Sequence, residues 1–102
     1  MRISEVNITP IKPHDGLVGF ANIVIDDKWF LSSIGIHTKL GGGYRITYPT
    51  KVVGSRAMDI YHPINRETSK AVESAIFKKF NEIFERGNEN DRHNQISNPN
   101  KR

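Results

Sequence analysis

Tyr48-Pro49-Thr50-Lys51, then Asp59-Ile60-Tyr61-His62-Pro63-Ile64-Asn65, then an apolar stripe running to Arg86: along this stretch the chain passes from sheet to its one convincing helix. Pro49 has no amide hydrogen to donate, so regular strand pairing ends there. Lys51 to Ala57 reads as a loop around Gly54-Ser55, and Met58 to Tyr61 as a brief fifth strand. His62 precedes a proline, which biases it toward extended geometry and closes the strand region. Asn65 carries the side-chain oxygen of an N-cap, and Glu67 falls in the positive first turn of the helix that Asn65 opens. Val72, Ile76, Phe80 and Ile83 then recur at helical spacing, widened by Ala75, Phe77 and Phe84. Arg86 suits the negative end of a helix, and Gly87 is a natural stop.

An amphipathic helix needs an apolar layer to lie on, and the residues upstream supply one. Ile3, Val6 and Ile8 alternate except for a slip after Ile3, which predicts a bulge or a late strand start. Asp15-Gly16 is a hairpin-turn pair. Leu17 to Asp26 continues the chain as a strand, with Leu17, Gly19, Ala21, Ile23 and Ile25 on one face and Val18, Phe20, Asn22 and Val24 on the other. The second face is too apolar for free solvation, which points to a further covering surface. Trp29 to His37 reads as a third strand, with Phe30, Ile34 and Ile36 in one phase and Trp29 and Leu31 in the other. Tyr44 to Tyr48 alternates as a fourth, with Arg45 and Thr47 opposite Tyr44, Ile46 and Tyr48. The fold class is therefore α+β: an antiparallel sheet of about five strands followed by one C-terminal amphipathic helix. Residues 1–87 form one domain and 88–102, Asn-rich and charged, a flexible, disordered tail.

The 102 residues hold no cysteine, which removes disulfides and thiolate metal sites and favours an intracellular, cytoplasmic setting. No secretory leader and no membrane-length apolar run are legible. The formal charge of +4 is unevenly placed. Between Asp27 and Asp59 there is no acidic residue, while Lys28, Lys39, Arg45, Lys51 and Arg56 fall there; elsewhere the charges nearly cancel. A segment of one sign attracts polyanions, of which phosphate backbones are the commonest, although solvated strand and loop positions give the same count.

Catalytic chemistry is poorly supported. Gly41-Gly42-Gly43 is followed by a strand rather than by Lys and Ser or Thr opening a helix, so it is a hairpin loop and not a phosphate-binding loop. His14, His37, His62 and His93 lack the close spacing of a metal pair. Asp59 and His62, three apart on an extended strand, point to opposite faces unless the chain bends; tying the strand end to the helix start is the better role for them. No nucleophile elbow or paired carboxylates suggest hydrolysis. The expectation is a non-enzymatic protein without cofactor or metal.

Asp59-Ile60-Tyr61-His62-Pro63-Ile64-Asn65, followed by Thr68, resembles the D-I-x-H-P-I-N hallmark of the SpoVG family, the stage V sporulation protein G or septation regulators. Tyr48-Pro49-Thr50-Lys51 looks like the family's M-P-S-K, and Ile3-Ser4-Glu5-Val6-Asn7-Ile8 and Asp15-Gly16-Leu17 extend the likeness over roughly residues 2 to 84. The resemblance implies a small sheet-plus-helix domain, a homodimer, and binding of DNA and RNA in control of septation, sporulation and gene expression. Of the family's basic positions only Lys51 carries over directly; others are occupied by Val52, Met58 and Ser69, and Leu31-Ser32-Ser33-Ile34-Gly35-Ile36 replaces V-H-D-I-[KR]-V. Arg56, Arg66 and Lys70 lie beside the altered positions. The expected nucleic-acid contacts are Arg45, Lys51, Arg56, Arg66 and Lys70, with Tyr44 or Tyr48 as base-stacking candidates. The alternative is a protein-interaction module that docks a partner on the apolar second sheet face and the Phe-bearing helix.

Overall fold

The computed structural model describes the backbone of residues 1–96 and the side chains of residues 1–84. Strands β1 (Ile3–His14), β2 (Leu17–Ile25), β3 (Trp29–Thr38) and β4 (Tyr44–Thr47) form one antiparallel sheet in the order β1-β2-β3-β4. Strands β5 (Thr50–Val53) and β6 (Arg56–Asp59) form a separate hairpin, and helix α1 (Arg66–Ile96) comes last. The α+β architecture agrees with the sequence. The strands are divided four and two, because Lys51 to Ala57 is not a loop: β-branched Thr50, Val52 and Val53 extend it and Gly54-Ser55 turns it back as a two-residue hairpin. Gly54 sits at φ +66, the left-handed geometry that the first position of a type II′ turn requires. Helix α1 runs through Gly87 to Ile96 rather than stopping there; an interior glycine costs about 1 kcal/mol but does not bar a helix. The rest of the expected tail lies outside the described residues.

Turns fall where the sequence places them. Asp15 and Gly16, at φ 50 and 89, join β1 to β2 across the His14–Leu17 pair. The register slip after Ile3 is a break in β1–β2 pairing between Ile3 and Glu5. A second irregularity decides which side chains reach the core. Ala21 pairs with Ile34 and Ile23 with Leu31, so Ser32 and Ser33 together face one residue of β2, with Ser33 at φ 66. This bulge reverses the phase of β3. Leu31 consequently packs on the core side with Ile34 and Ile36, and Phe30, expected there, is left 62% exposed on the opposite face.

Ala21, Ile23, Ile34, Ile36, Val72 and Ile76 are buried, and Val6, Ile8, Ile46 and Phe80 pack around them. Thus the helix stripe lies against the inner face of the sheet. Asn65 caps it, its Oδ1 accepting from the Thr68 amide at 2.8 Å. Tyr61 ties the junction to the sheet by donating its hydroxyl hydrogen to the Ser32 carbonyl, at 2.6 Å, inside the bulge.

Candidate nucleic-acid interface

The β5–β6 register sorts the hairpin's side chains into two faces, since residues directly opposite share a side. Lys51 pairs with Met58 and Val53 with Arg56; Thr50 pairs with Asp59 and Val52 with Ala57. One face is therefore Lys51, Val53, Arg56 and Met58, with the two cations diagonal to each other. All eight strand residues are exposed, and the hairpin makes no substantial contact with another strand or with the helix. Its base is closed by the Ile60 amide donating to the Pro49 carbonyl at 2.9 Å.

Asp59, the hairpin's one carboxylate, lies on the other face. A bend after β6 brings His62 Nε2 to 3.5 Å from Asp59 Oδ2, and His62 Nδ1 is 2.9 Å from the Pro63 carbonyl oxygen. The pair links the strand end to the segment before the helix. Arg66 and Lys70 lie one turn apart on the exposed side of the helix start. No carboxylate among the described residues comes within ion-pairing distance of Arg45, Lys51, Arg56, Arg66 or Lys70; the one Arg or Lys pair formed is Arg2 with Asp27.

The five cations are thus in three places. Lys51 and Arg56 share the hairpin face, and Arg66 and Lys70 share the first turns of α1. Arg45 stands apart, opposite His37 on the face of β4 turned away from the helix. There His37 Nε2 meets Thr47 Oγ1 at 2.8 Å, and burial, followed by the Arg45 charge, holds the His37 pKa below its ordinary value. Gly35 lies under this contact: a Cβ on it would come within 2.6 Å of Thr47 Oγ1.

Neither tyrosine expected to stack on a base is presented to solvent as a free ring. Tyr44 packs edge-on to Phe80 at 5.0 Å between centroids, and Tyr48 edge-on to Tyr61 at 6.1 Å. Alternation along β4 turns both toward the core, which also raises the Tyr48 pKa, through burial and then the Glu73 charge. Tyr61 is pushed up to about 12 by burial and then by Tyr48. Phe20 lies exposed on the outer sheet face where the sequence placed it, and Phe30, which the sequence did not place there, joins it because of the bulge.

Among the described residues no cluster of three metal-ligating side chains occurs, and no helix is long and apolar enough to cross a membrane. Comparison with known proteins gives a consistent result. The SpoVG family model matches residues 1–82. A protein of Phytoplasma australiense, provisionally named septation protein SpoVG, is 29% identical over 84 residues, covering 82% of this chain and 88% of its own. A protein of Finegoldia magna with the same provisional name is 29% identical over 86 residues, 84% of this chain and 80% of that one. A third, from onion yellows phytoplasma, is 26% identical over 85 residues, 83% and 86% of the two chains.

Proposed function

The chain belongs to the SpoVG family, and on that premise we propose that it is a nucleic-acid-binding regulator, acting on DNA or RNA as a cytoplasmic homodimer in control of septation, sporulation and gene expression. The observation that carries this is the exposure of Lys51 and Arg56 on one hairpin face and of Arg66 and Lys70 at the helix start, unpaired with any described carboxylate. Such cations neutralise phosphates and release counterions on binding, with no bond made or broken. Arg45 adds charge on the opposite face of the sheet.

A gel-shift series at low salt with duplex DNA, single strands and RNA tests the proposal. A retarded species that disappears as salt rises supports it; free probe throughout, at all protein concentrations, overturns it. Light scattering at micromolar concentration tests the dimer, which requires twice the chain mass of 11.6 kDa.

One observation favours the alternative of a protein partner: Phe20 and Phe30 are exposed on the outer sheet face beside Val24, which pairs with Phe30. Apolar surface of this kind marks interaction sites. A partner retained in pull-downs after nuclease treatment and at high salt would support that alternative, and its loss on nuclease treatment would count against it.

A further inference from the structure

We infer that the cavity between the start of α1 and the sheet binds a small neutral aromatic molecule carrying one hydrogen-bond acceptor, with the Tyr48 hydroxyl as its anchor. The cavity measures about 230 Å³. Ile23, Ile25 and Leu31 from the sheet and Val72 from the helix give it aliphatic walls. Tyr48 and Tyr61 stand edge-on to each other along one side, 6.1 Å apart between centroids. None of the cations assigned to nucleic acid lines it, so the site stands or falls independently of that function.

The polar atoms around this cavity are unequally used. Tyr61 donates to the Ser32 carbonyl at 2.6 Å, and His62, at the exposed rim, holds Nδ1 2.9 Å from the Pro63 oxygen and Nε2 3.5 Å from Asp59 Oδ2. The Tyr48 hydroxyl, by contrast, is shut off from solvent and finds no hydrogen-bond partner among the described residues. A hydroxyl taken out of water with no replacement bond is costly, and an acceptor brought by a ligand removes that cost. Burial, and then the Glu73 charge, raise the Tyr48 pKa, so the phenol keeps its proton to donate at neutral pH, and the same carboxylate disfavours an anionic occupant. Water fills the role poorly, because a buried water takes roughly two to four polar partners and these walls are mostly aliphatic. An apolar cavity of about 150 Å³ accepts benzene, so this one has room for a ring with a short substituent. Nucleotides and larger cofactors are too big, since sites for such ligands span roughly 300–1,000 Å³. Flat rings also pack well against tyrosine edges, which selects an aromatic body over a branched aliphatic one. Because Val72 and Thr68 of α1 line the cavity, an occupant holds the helix start against the sheet and stabilises the fold by mass action.

The test is a methyl NMR titration of the full chain, labelled at Ile, Leu and Val, with two probes of one shape: acetophenone, and α-methylstyrene, which has a methylene in place of the carbonyl oxygen. Wild type should bind acetophenone at millimolar concentration or below, with shifts concentrated at Ile23, Ile25, Leu31 and Val72 and a rise in melting temperature. Tyr48→Phe should weaken acetophenone about fivefold or more, the worth of one hydrogen bond, and leave α-methylstyrene within about twofold. That variant should also melt no lower than wild type, since it gives up no hydrogen bond. Val72→Phe, which puts a ring into the cavity, should abolish binding of both probes; should it fail to fold, Tyr48→Phe still decides. No methyl shifts up to the solubility limit of acetophenone, or shifts centred on Val24 of the outer sheet face, overturn the site. Equal effects of Tyr48→Phe on the two probes overturn the hydroxyl as anchor, and a lowered melting temperature does the same by showing that the hydroxyl is already bonded to water. None of these results bears on DNA or RNA binding, which the gel-shift series tests separately.

Discussion

Replacing Tyr61 by Phe takes one oxygen from the junction between sheet and helix, and its consequences divide by pH. The hydroxyl donates to the Ser32 carbonyl at 2.6 Å, within the bulge that turns Leu31 inward. A hydrogen bond of this kind is worth about 0.5–1.5 kcal/mol net, so at pH 7 the variant should unfold about 1 kcal/mol more easily. In alkali the order changes. Burial, and then Tyr48, push the Tyr61 pKa from 10.0 up to about 12, so the native state keeps a proton that the unfolded chain releases. The stabilisation linked to that proton is complete below pH 10 and is lost as pH rises from about 10 toward 12. Two units amount to about 2.7 kcal/mol for a fully buried group, and solvent around this partly buried ring reduces that to about 1–2 kcal/mol. The Phe variant has no such loss. Urea unfolding followed by far-UV circular dichroism at pH 7, 9, 10 and 11 should show wild type ahead at neutral pH and the gap closing above pH 10. Equal stability at pH 7, or a gap unchanged through pH 11, would refute the assigned hydrogen bond and burial of Tyr61.

Other substitutions test separate parts of the structure. Asn65→Ala removes the cap on the Thr68 amide and should cost about 1 kcal/mol in urea unfolding, with Asn65→Asp close to wild type. Gly35→Ala places a Cβ 2.6 Å from Thr47 Oγ1 and should cost about 1–3 kcal/mol as an overpacked site. In the Thr47→Ala background part of that cost should disappear, the rest coming from His37 Nε2 at 3.0 Å from the added Cβ, and a double-mutant cycle measures the share directly. Ile76→Ala, at a fully buried position where the helix meets the sheet, should cost about 2–5 kcal/mol.

Much of the fold is legible in local chemistry. Asp15-Gly16 sets the first hairpin, Asn65 and Pro63 set the helix start, and the alternation of β2 picks the face that Ala21 and Ile23 bury. Two features were not. A strand bulge is a pairing event between two segments, and Ser32-Ser33 shows no more in sequence than a gap in the apolar pattern; its outcome, Leu31 inward and Phe30 outward, comes from register against β2. The β5–β6 hairpin was hidden because Gly54-Ser55 suits a loop as well as a tight turn. Of the candidate site, Arg45, Lys51 and Arg56 were chosen by charge placement and Arg66 and Lys70 by their position beside altered family residues; how the five are grouped was legible in neither. Lys51 and Arg56 share a face only because that hairpin forms, and Arg45 is separated from the helix cations because β4 alternates. The bend that joins Asp59 to His62 likewise lies outside strand periodicity.

The decisive measurement is the affinity for duplex DNA as a function of salt, followed by anisotropy between 50 and 200 mM. If Lys51, Arg56, Arg66 and Lys70 each neutralise one phosphate, the logarithmic slope is about −3.6 for each chain that contacts the DNA, and affinity falls about 150-fold over that range when one chain of a dimer makes the contacts and more steeply when both do. A slope near zero, or no binding at 50 mM, contradicts that role for the four cations.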